Sequence, residues 1–211
     1  DLVQLHCPPS EICGKQETYE MMDEIVKKGK IKYYGVSVEK VSEALDAIKY
    51  PNVKSIQIIF NIFRQKPSEF FFHEAKKNNV AIIARVPLAS GLLTGKMNKN
   101  SSFPENDHRN YNINGDAFDV GETFSGVDFS TGLEAVEELK KIKPEGFSLT
   151  DLSLKWILSH PEVTVVIPGA KNKIQAELNV RASELNEINS IKDSIIEIYN
   201  KYFKKDIHSN W

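Results

Sequence analysis

The chain has little of what would mark a specialised class. Two cysteines, Cys7 and Cys13, stand in 211 residues. That is too few for a disulfide framework, and the expectation is two reduced thiols in a cytoplasmic protein. No apolar run approaches the roughly 20 residues that cross a bilayer. The opening DLVQLHCPPSE has no basic stretch followed by an apolar one, so no secretory signal is expected. Neither charge is in excess: 27 basic against 29 acidic side chains leave a formal net charge of −2, which argues against a nucleic-acid-binding surface. His73, His108, His160 and His208 show no H-E-x-x-H spacing, and no metal is expected. No G-x-G-x-x-G follows the first strand-like run, whose next residues are Cys7-Pro8-Pro9-Ser10-Glu11, so the phosphate turn of dinucleotide-binding sheets is missing.

What is present is an ordinary globular balance, 41% hydrophobic and 27% charged, arranged in alternation. Strand-like runs are expected over 1–6, 33–38, 55–60, 80–86 and 163–167. Helical periodicity predicts 17–29, with Thr18 as its cap and Tyr19, Met22, Ile25 and Val26 on one face. Further helices are expected at 39–49, 68–78, 131–142, 149–159, 172–183 and 186–203, the second of the seven turning Val41, Ala44, Leu45 and Ile48 inward. A connection rich in Gly, Asn, Asp and Ser runs from Pro87 to about Ser130, and loops of that length are usually functional or disordered. Phe70-Phe71-Phe72 reads as helix packing with one ring left outside, and Trp156, with Leu152, Leu154 and Leu158, as core. The pairs Lys27-Lys28 and Lys140-Lys141 read as solvated helix faces.

Apolar strands each followed by a helix imply an α/β fold with a parallel, helix-covered sheet. A closed (β/α)8 barrel takes about 250 residues, so five βα units amount to roughly five-eighths of one. An open doubly wound sheet fits the same count. Periodicity alone leaves both architectures standing.

Local sequences separate them. DLVQLHCP at 1–8, KIKYYGVS at 30–37, SIQIIFNIF at 55–63, ARVPLASGLLTGK at 84–96 and VTVVIPGAKNKIQAELNV at 163–180 occur in this order and spacing. Together they resemble the C-terminal part of the aldo-keto reductases, NAD(P)H-dependent TIM-barrel oxidoreductases. The resemblance runs from Asp1 to about Leu185, and the segment 107–127 is similar to a subgroup of bacterial members. It implies one partial barrel domain over 1–211, with Asp1 opening the fourth barrel strand. It also implies NADPH-dependent reduction of an aldehyde or ketone to an alcohol, with NAD the less expected cofactor. Of the family's Asp, Tyr, Lys and His tetrad only the His has a match, as His6. The other three lie before the fourth strand in the family, so the chain by itself is expected to be a poor catalyst.

The same resemblance distributes further roles. His6, at a strand end, would hydrogen-bond and orient the substrate carbonyl; the plainer reading is a histidine satisfied by nearby backbone. Ser37 and Gln57 would hold the nicotinamide carboxamide, against a turn serine and a strand glutamine satisfied internally. Arg85 stands where many relatives place a stacking aromatic; it could stack, bind a phosphate or acidic group, or be a surface arginine. Pro87, Leu88, Ser90, Gly91, Leu93, Gly95 and Lys96 would follow the pyrophosphate, glycines allowing close approach and lysine supplying charge. Gly169, Ala170 and Lys171 sit between a strand and a helix N-terminus, a setting that favours an anion. By resemblance that anion is the 2′-phosphate of NADP; the plainer reading of Lys171 is a solvated loop lysine. Gln175 and Asn179, four apart on one helical face, would hold the adenosine. Val38 and Leu178 depart from the relatives' Asn and Glu. The implied partner is a small carbonyl compound, with no nucleic acid and no membrane. Exposed sheet edges would favour self-association. A nucleotide-sensing regulatory subunit on the same fold is the alternative function, and a remnant that binds nothing a third.

Overall fold

A computed structural model describes residues 1–211. The strands β1 (Leu2–His6), β2 (Tyr33–Val38), β3 (Val53–Ile59), β4 (Ala81–Arg85) and β5 (Val163–Val166) form one sheet in the order β1-β2-β3-β4-β5. All four pairings are parallel. A doubly wound sheet reverses its strand order at a switch point. Here the order never reverses, as in successive staves of a barrel, and this excludes the open-sheet alternative. No helix is long and apolar enough to cross a membrane.

Helices occupy the connections. They are α1 (Ser10–Cys13), α2 (Gln16–Lys27), α3 (Val41–Ala47), α4 (Phe71–Lys77), α5 (His108–Tyr111), α6 (Phe129–Ile142), α7 (Leu149–Leu158), α8 (Lys173–Arg181), α9 (Lys192–Tyr202) and α10 (Lys204–Ile207). Three of the longer ones are started by side chains that accept from orphan backbone N–H groups. Asp128 caps α6 through the Thr131 N–H (2.8 Å), and Asn172 caps α8 through Gln175 (2.9 Å). Ser148 and Asp151 form a reciprocal box at α7, at 3.1 and 2.8 Å.

Two expectations need correction. Thr18 is not the cap of α2: the cap position is Lys15, three residues earlier, and no side chain caps the helix. Its start is set by Tyr19, which stacks on Tyr50 at 3.8 Å and donates its hydroxyl hydrogen to the Cys13 carbonyl at 2.7 Å. The helix expected over 186–203 begins only at Lys192. Ile188 is fully buried with a non-helical backbone, so the chain bends to seat that side chain before α9 can run.

A cluster of 41 buried apolar residues runs from Cys13 to Trp211. Phe71 and Phe72 are inside and Phe70 is outside. Phe60, Phe72, Trp156 and His160 form an aromatic nest with ring centroids 4.6–6.1 Å apart. Gly35 lets β2 and β3 approach: a Cβ there would collide with the Ser55 carbonyl and hydroxyl.

The 87–130 connection is folded rather than slack. It carries a 3-10 segment at Ala89–Thr94, α5, and turns at Val120–Glu122 and Phe124–Gly126. Val86, Ala89, Ser90, Phe124 and Ser125 all have left-handed backbone, with φ between 46° and 63°. Such residues cost about 1–3 kcal/mol each and persist where neighbours over-determine them. Asn61 does so from the barrel, its amide donating to the Val86 carbonyl at 2.8 Å and to Ser125 Oγ at 2.7 Å.

Candidate functional site

Parallel register aligns three expected site residues in one row. His6 pairs with Ser37, and Ser37 with Gln57. Register partners share a sheet face, so all three face the same way near the C-terminal strand ends, where barrel sites lie. His6 is exposed, Gln57 half-buried and Ser37 buried. Below them the Gln57 amide donates to Gln4 Oε1 at 3.3 Å, and the Gln4 amide to Ser55 Oγ at 3.1 Å. A polar ladder therefore lines this face.

Cys7 follows His6 with φ +43°, its Sγ 3.6 Å from Ser37 Oγ. Burial pushes the thiol up to about 11, which leaves it a protonated packing group rather than a nucleophile.

Arg85 is not a surface arginine. Its side chain is 8% exposed, paired to Glu39 at 3.0 Å and to Glu122, and it donates to the Val38 carbonyl at 3.1 Å. Cys7, Glu39 and Glu122 bring a thiol and two carboxylates within 4.8 Å of one another. The Arg85 guanidinium lies between the two carboxylates and offsets one of their two charges; its Nη2 is also 3.7 Å from Cys7 Sγ. Burial raises the Glu39 carboxyl, and Arg85 offsets part of that rise. Arg85 itself loses by burial but ends above its ordinary value because Glu122 and Glu39 face it.

Beyond Arg85 opens a groove of about 770 Å³. Pro87, Leu88, Ser90, Gly91 and Lys96 line it, and so do Gly169, Ala170, Lys171, Gln175 and Asn179. The sequence segments 87–96 and 169–179, far apart in the chain, thus share one cavity. Leu93 and Gly95 do not line it: Leu93 is in the core, and Gly95 sits against Leu149 and Lys140. At Gly169 an added Cβ would meet nothing within 4 Å, so the loop is open on its solvent side. The N-terminus of α8 rises from that loop. Gln175 and Asn179 brace it, Oε1 accepting from the Lys171 N–H at 2.6 Å and Nδ2 donating to the Gly169 carbonyl at 3.2 Å.

Several lining residues were not singled out by sequence: His108, Arg109, Glu122, Ser148 and Asp151. Arg109 forks onto Asp107, at 2.6 and 2.9 Å, and reaches the Ser90 carbonyl at 3.4 Å. That hydrogen bonding holds Asp107 well below the usual carboxylate range. Its partner Arg109 keeps an edge toward the groove. Asp151 is neutralised by Arg181 and by the α7 box. Arg109 is paired to Asp107, so the exposed Lys96 and Lys171 are what leaves the groove cationic. The sequence signals for Arg109 were the length of the loop that carries it and the similarity of 107–127 to a subgroup of bacterial members, and neither singled the residue out.

Comparison with known proteins agrees with this fold. Residues 1–198 match the aldo/keto reductase family. The uncharacterized oxidoreductase YqkF of Bacillus subtilis is 28% identical over 210 residues, covering 99% of this chain and 61% of that protein. The Schizosaccharomyces pombe aldo-keto reductase yakc [NADP(+)] is 27% identical over 161 residues, 74% of this chain and 45% of that protein. Among solved structures, the glycerol dehydrogenase AKR11B4 of Gluconobacter oxydans superposes with a TM-score of 0.73 at 25% identity, over 96% of this chain and 59% of the other. The chain spans about 60% of the length of the first two of these that it covers almost completely. Five strands in barrel order and a family match from the first residue to α9 lead to one statement: this chain belongs to the aldo/keto reductase family.

Proposed function

We propose that the chain forms the nucleotide-holding face of an NADP(H)-dependent reductase of aldehydes or ketones. One observation carries the reading. The His6–Ser37–Gln57 row is joined to the cationic groove through Cys7, Arg85 and Glu122, so a hydride donor and its phosphates have adjacent seats. The groove fits the group. Its volume is within the roughly 300–1,000 Å³ of small-molecule and cofactor sites. Lys96 and Lys171 supply charge for phosphates, and the α8 N-terminus supplies N–H groups. Bound reduced nicotinamide supplies the hydride.

The chain's own residues do the positioning. His6 donates to the carbonyl oxygen and orients it. Ser37 and Gln57 hold the carboxamide, which selects the ring face that meets the substrate. Gly91 and Gly169 admit close backbone approach. Lys171 favours NADP over NAD through the 2′-phosphate. The proton donor of the resembling enzymes has no counterpart among these residues, so nucleotide binding with little turnover is the expected behaviour of this chain.

Fluorescence titration of the 211-residue chain with NADPH and NADH tests the reading. NADPH binds more tightly, and Lys171→Ala removes that preference while leaving NADH affinity unchanged. Failure to bind either nucleotide overturns the proposal. Rapid reduction of simple aldehydes overturns the part that denies the chain an acid. Tight NADPH binding that also yields no turnover in a longer form bearing the tyrosine would move the reading to a nucleotide sensor.

A further inference from the structure

Trp211, which follows α10, is buried. Its indole N–H donates to Asp119 at 3.0 and 3.3 Å. The Arg64 guanidinium lies over the ring, 4.0 Å from its centroid. The third wall is Gly126, at φ +76°, where any Cβ would collide with the ring. A hydrogen-bond acceptor, a cation over the ring face and a glycine-sized gap make a seat shaped for an indole.

The seat belongs to the segment that walls the groove. Asp119 Oδ1 also accepts from the Gly121 N–H at 2.7 Å, so the carboxylate that holds Trp211 also closes the turn presenting Glu122. The Glu122 carbonyl accepts from Ser90 Oγ at 3.0 Å, and Ser90 Oγ accepts from the Phe124 N–H at 3.0 Å. Ser90, Phe124 and Ser125 are among the left-handed, strained residues. They stay so only while their neighbours hold them. Through Asp119, 92 positions away in sequence, Trp211 is therefore tied to Ser90 and Glu122, two residues of the groove.

We propose that Trp211 is a positioning residue for the nucleotide groove: docked between Arg64, Asp119 and Gly126, it clasps the 119–126 segment and so fixes Glu122 and Ser90 in their lining positions. The inference rests on the nucleotide reading of the groove for its consequence, but not for the clasp itself.

The test combines hydrogen exchange with NADPH titration on the 211-residue chain and on Trp211→Ala, Trp211→Phe and Asp119→Asn. In Trp211→Ala, amide exchange in 119–126 and 88–91 accelerates while β2 and β3 keep their protection. NADPH affinity falls about tenfold, the factor equivalent to about 1.4 kcal/mol of ordering. Trp211→Phe keeps a ring over Gly126 but loses the N–H donor, and gives an intermediate effect on both readouts. Should Trp211→Ala fail to fold, Trp211→Phe and Asp119→Asn carry the same comparison. Exchange unchanged in 119–126, or accelerated equally across the whole sheet, overturns the clasp. Localised exchange with NADPH affinity unchanged overturns the positioning role. If the unaltered chain binds no NADPH, the nucleotide reading fails, and the exchange data still decide the clasp.

Discussion

Replacing Arg85 by methionine should be costly in alkaline solution and much less so in mild acid. Arg85 is the cation between Glu39, at 3.0 Å, and Glu122, and its side chain is 8% exposed against 16% and 26% for its partners. Breaking a buried pair from one side costs about 3–5 kcal/mol, because the remaining charge is stranded. Methionine retains much of the stem's packing, and Glu122 has some access to water. The expected loss is therefore about 3 kcal/mol at pH 8, the low end of that range. The sign of the pH dependence follows from Glu39. Burial already raises its carboxyl, with Arg85 opposing. Without the guanidinium its folded-state pKa rises further above the unfolded value. The folded variant then takes up a proton first as pH falls, so the deficit is full above that raised pKa and shrinks below it. Each unit of added shift returns about 1.4 kcal/mol. Urea unfolding of both proteins at pH 8 and pH 5.5, followed by tryptophan fluorescence, measures this directly. Adding Glu39→Gln to Arg85→Met should restore much of the loss at pH 8. An equal deficit at both pH values, or a double variant no more stable than the single one, would refute the stranded-charge argument.

Other consequences are as direct. His160 is kept low by burial, with its Nδ1 2.9 Å from the Trp156 carbonyl. The unfolded ring protonates first, near its ordinary pKa of about 6.5, so this contribution is present above that value and is lost as pH falls through it. His160→Phe should therefore lose less thermal stability between pH 7.5 and 5.5 than the unaltered chain does, and parallel curves would contradict this. Phe72→Ala empties a fully enclosed aromatic site and should cost about 3–5 kcal/mol in urea unfolding; a cost below 1 kcal/mol would mean the nest collapses around the gap. Gly35→Ala sets a methyl against the Ser55 backbone and should cost about 1–3 kcal/mol, read in the same way. β1 and β5 end the sheet, with Leu2, Val3 and Val165 exposed. Light scattering should then show concentration-dependent association that Val3→Lys reduces; a monomer at all concentrations would contradict the edge argument.

What could be read from the sequence was what is local or periodic. The five strands are apolar runs bounded by breakers, and each lies within two residues of its expected limits. Phe71 and Phe72 are buried in the first turn of α4, and Phe70, the non-helical residue just before it, is outside. The groove segments 87–96 and 169–179 could be named because each is a short, dense motif. What escaped was set by partners far away in sequence. The start of α2 depends on Tyr19 reaching Cys13 and Tyr50, so a local capping rule at Thr18 had no force. Arg85 meets Glu39 and Glu122, 46 and 37 positions away, and only the return of the long connection over the strand ends turns a strand-end arginine into the centre of a buried triad. Trp211 is the extreme case: a lone aromatic after a polar helix has no period to reveal its face, and its seat exists only because Arg64 and the 119–126 segment, with Asp119 and Gly126, arrive from far away in the chain. The same physics explains both results. A residue whose environment is its own helix or strand announces itself, whereas one whose environment is a tertiary junction does not. Two of these junctions, at Arg85 and at Trp211, meet the wall of the groove through Glu122 and the turn that presents it.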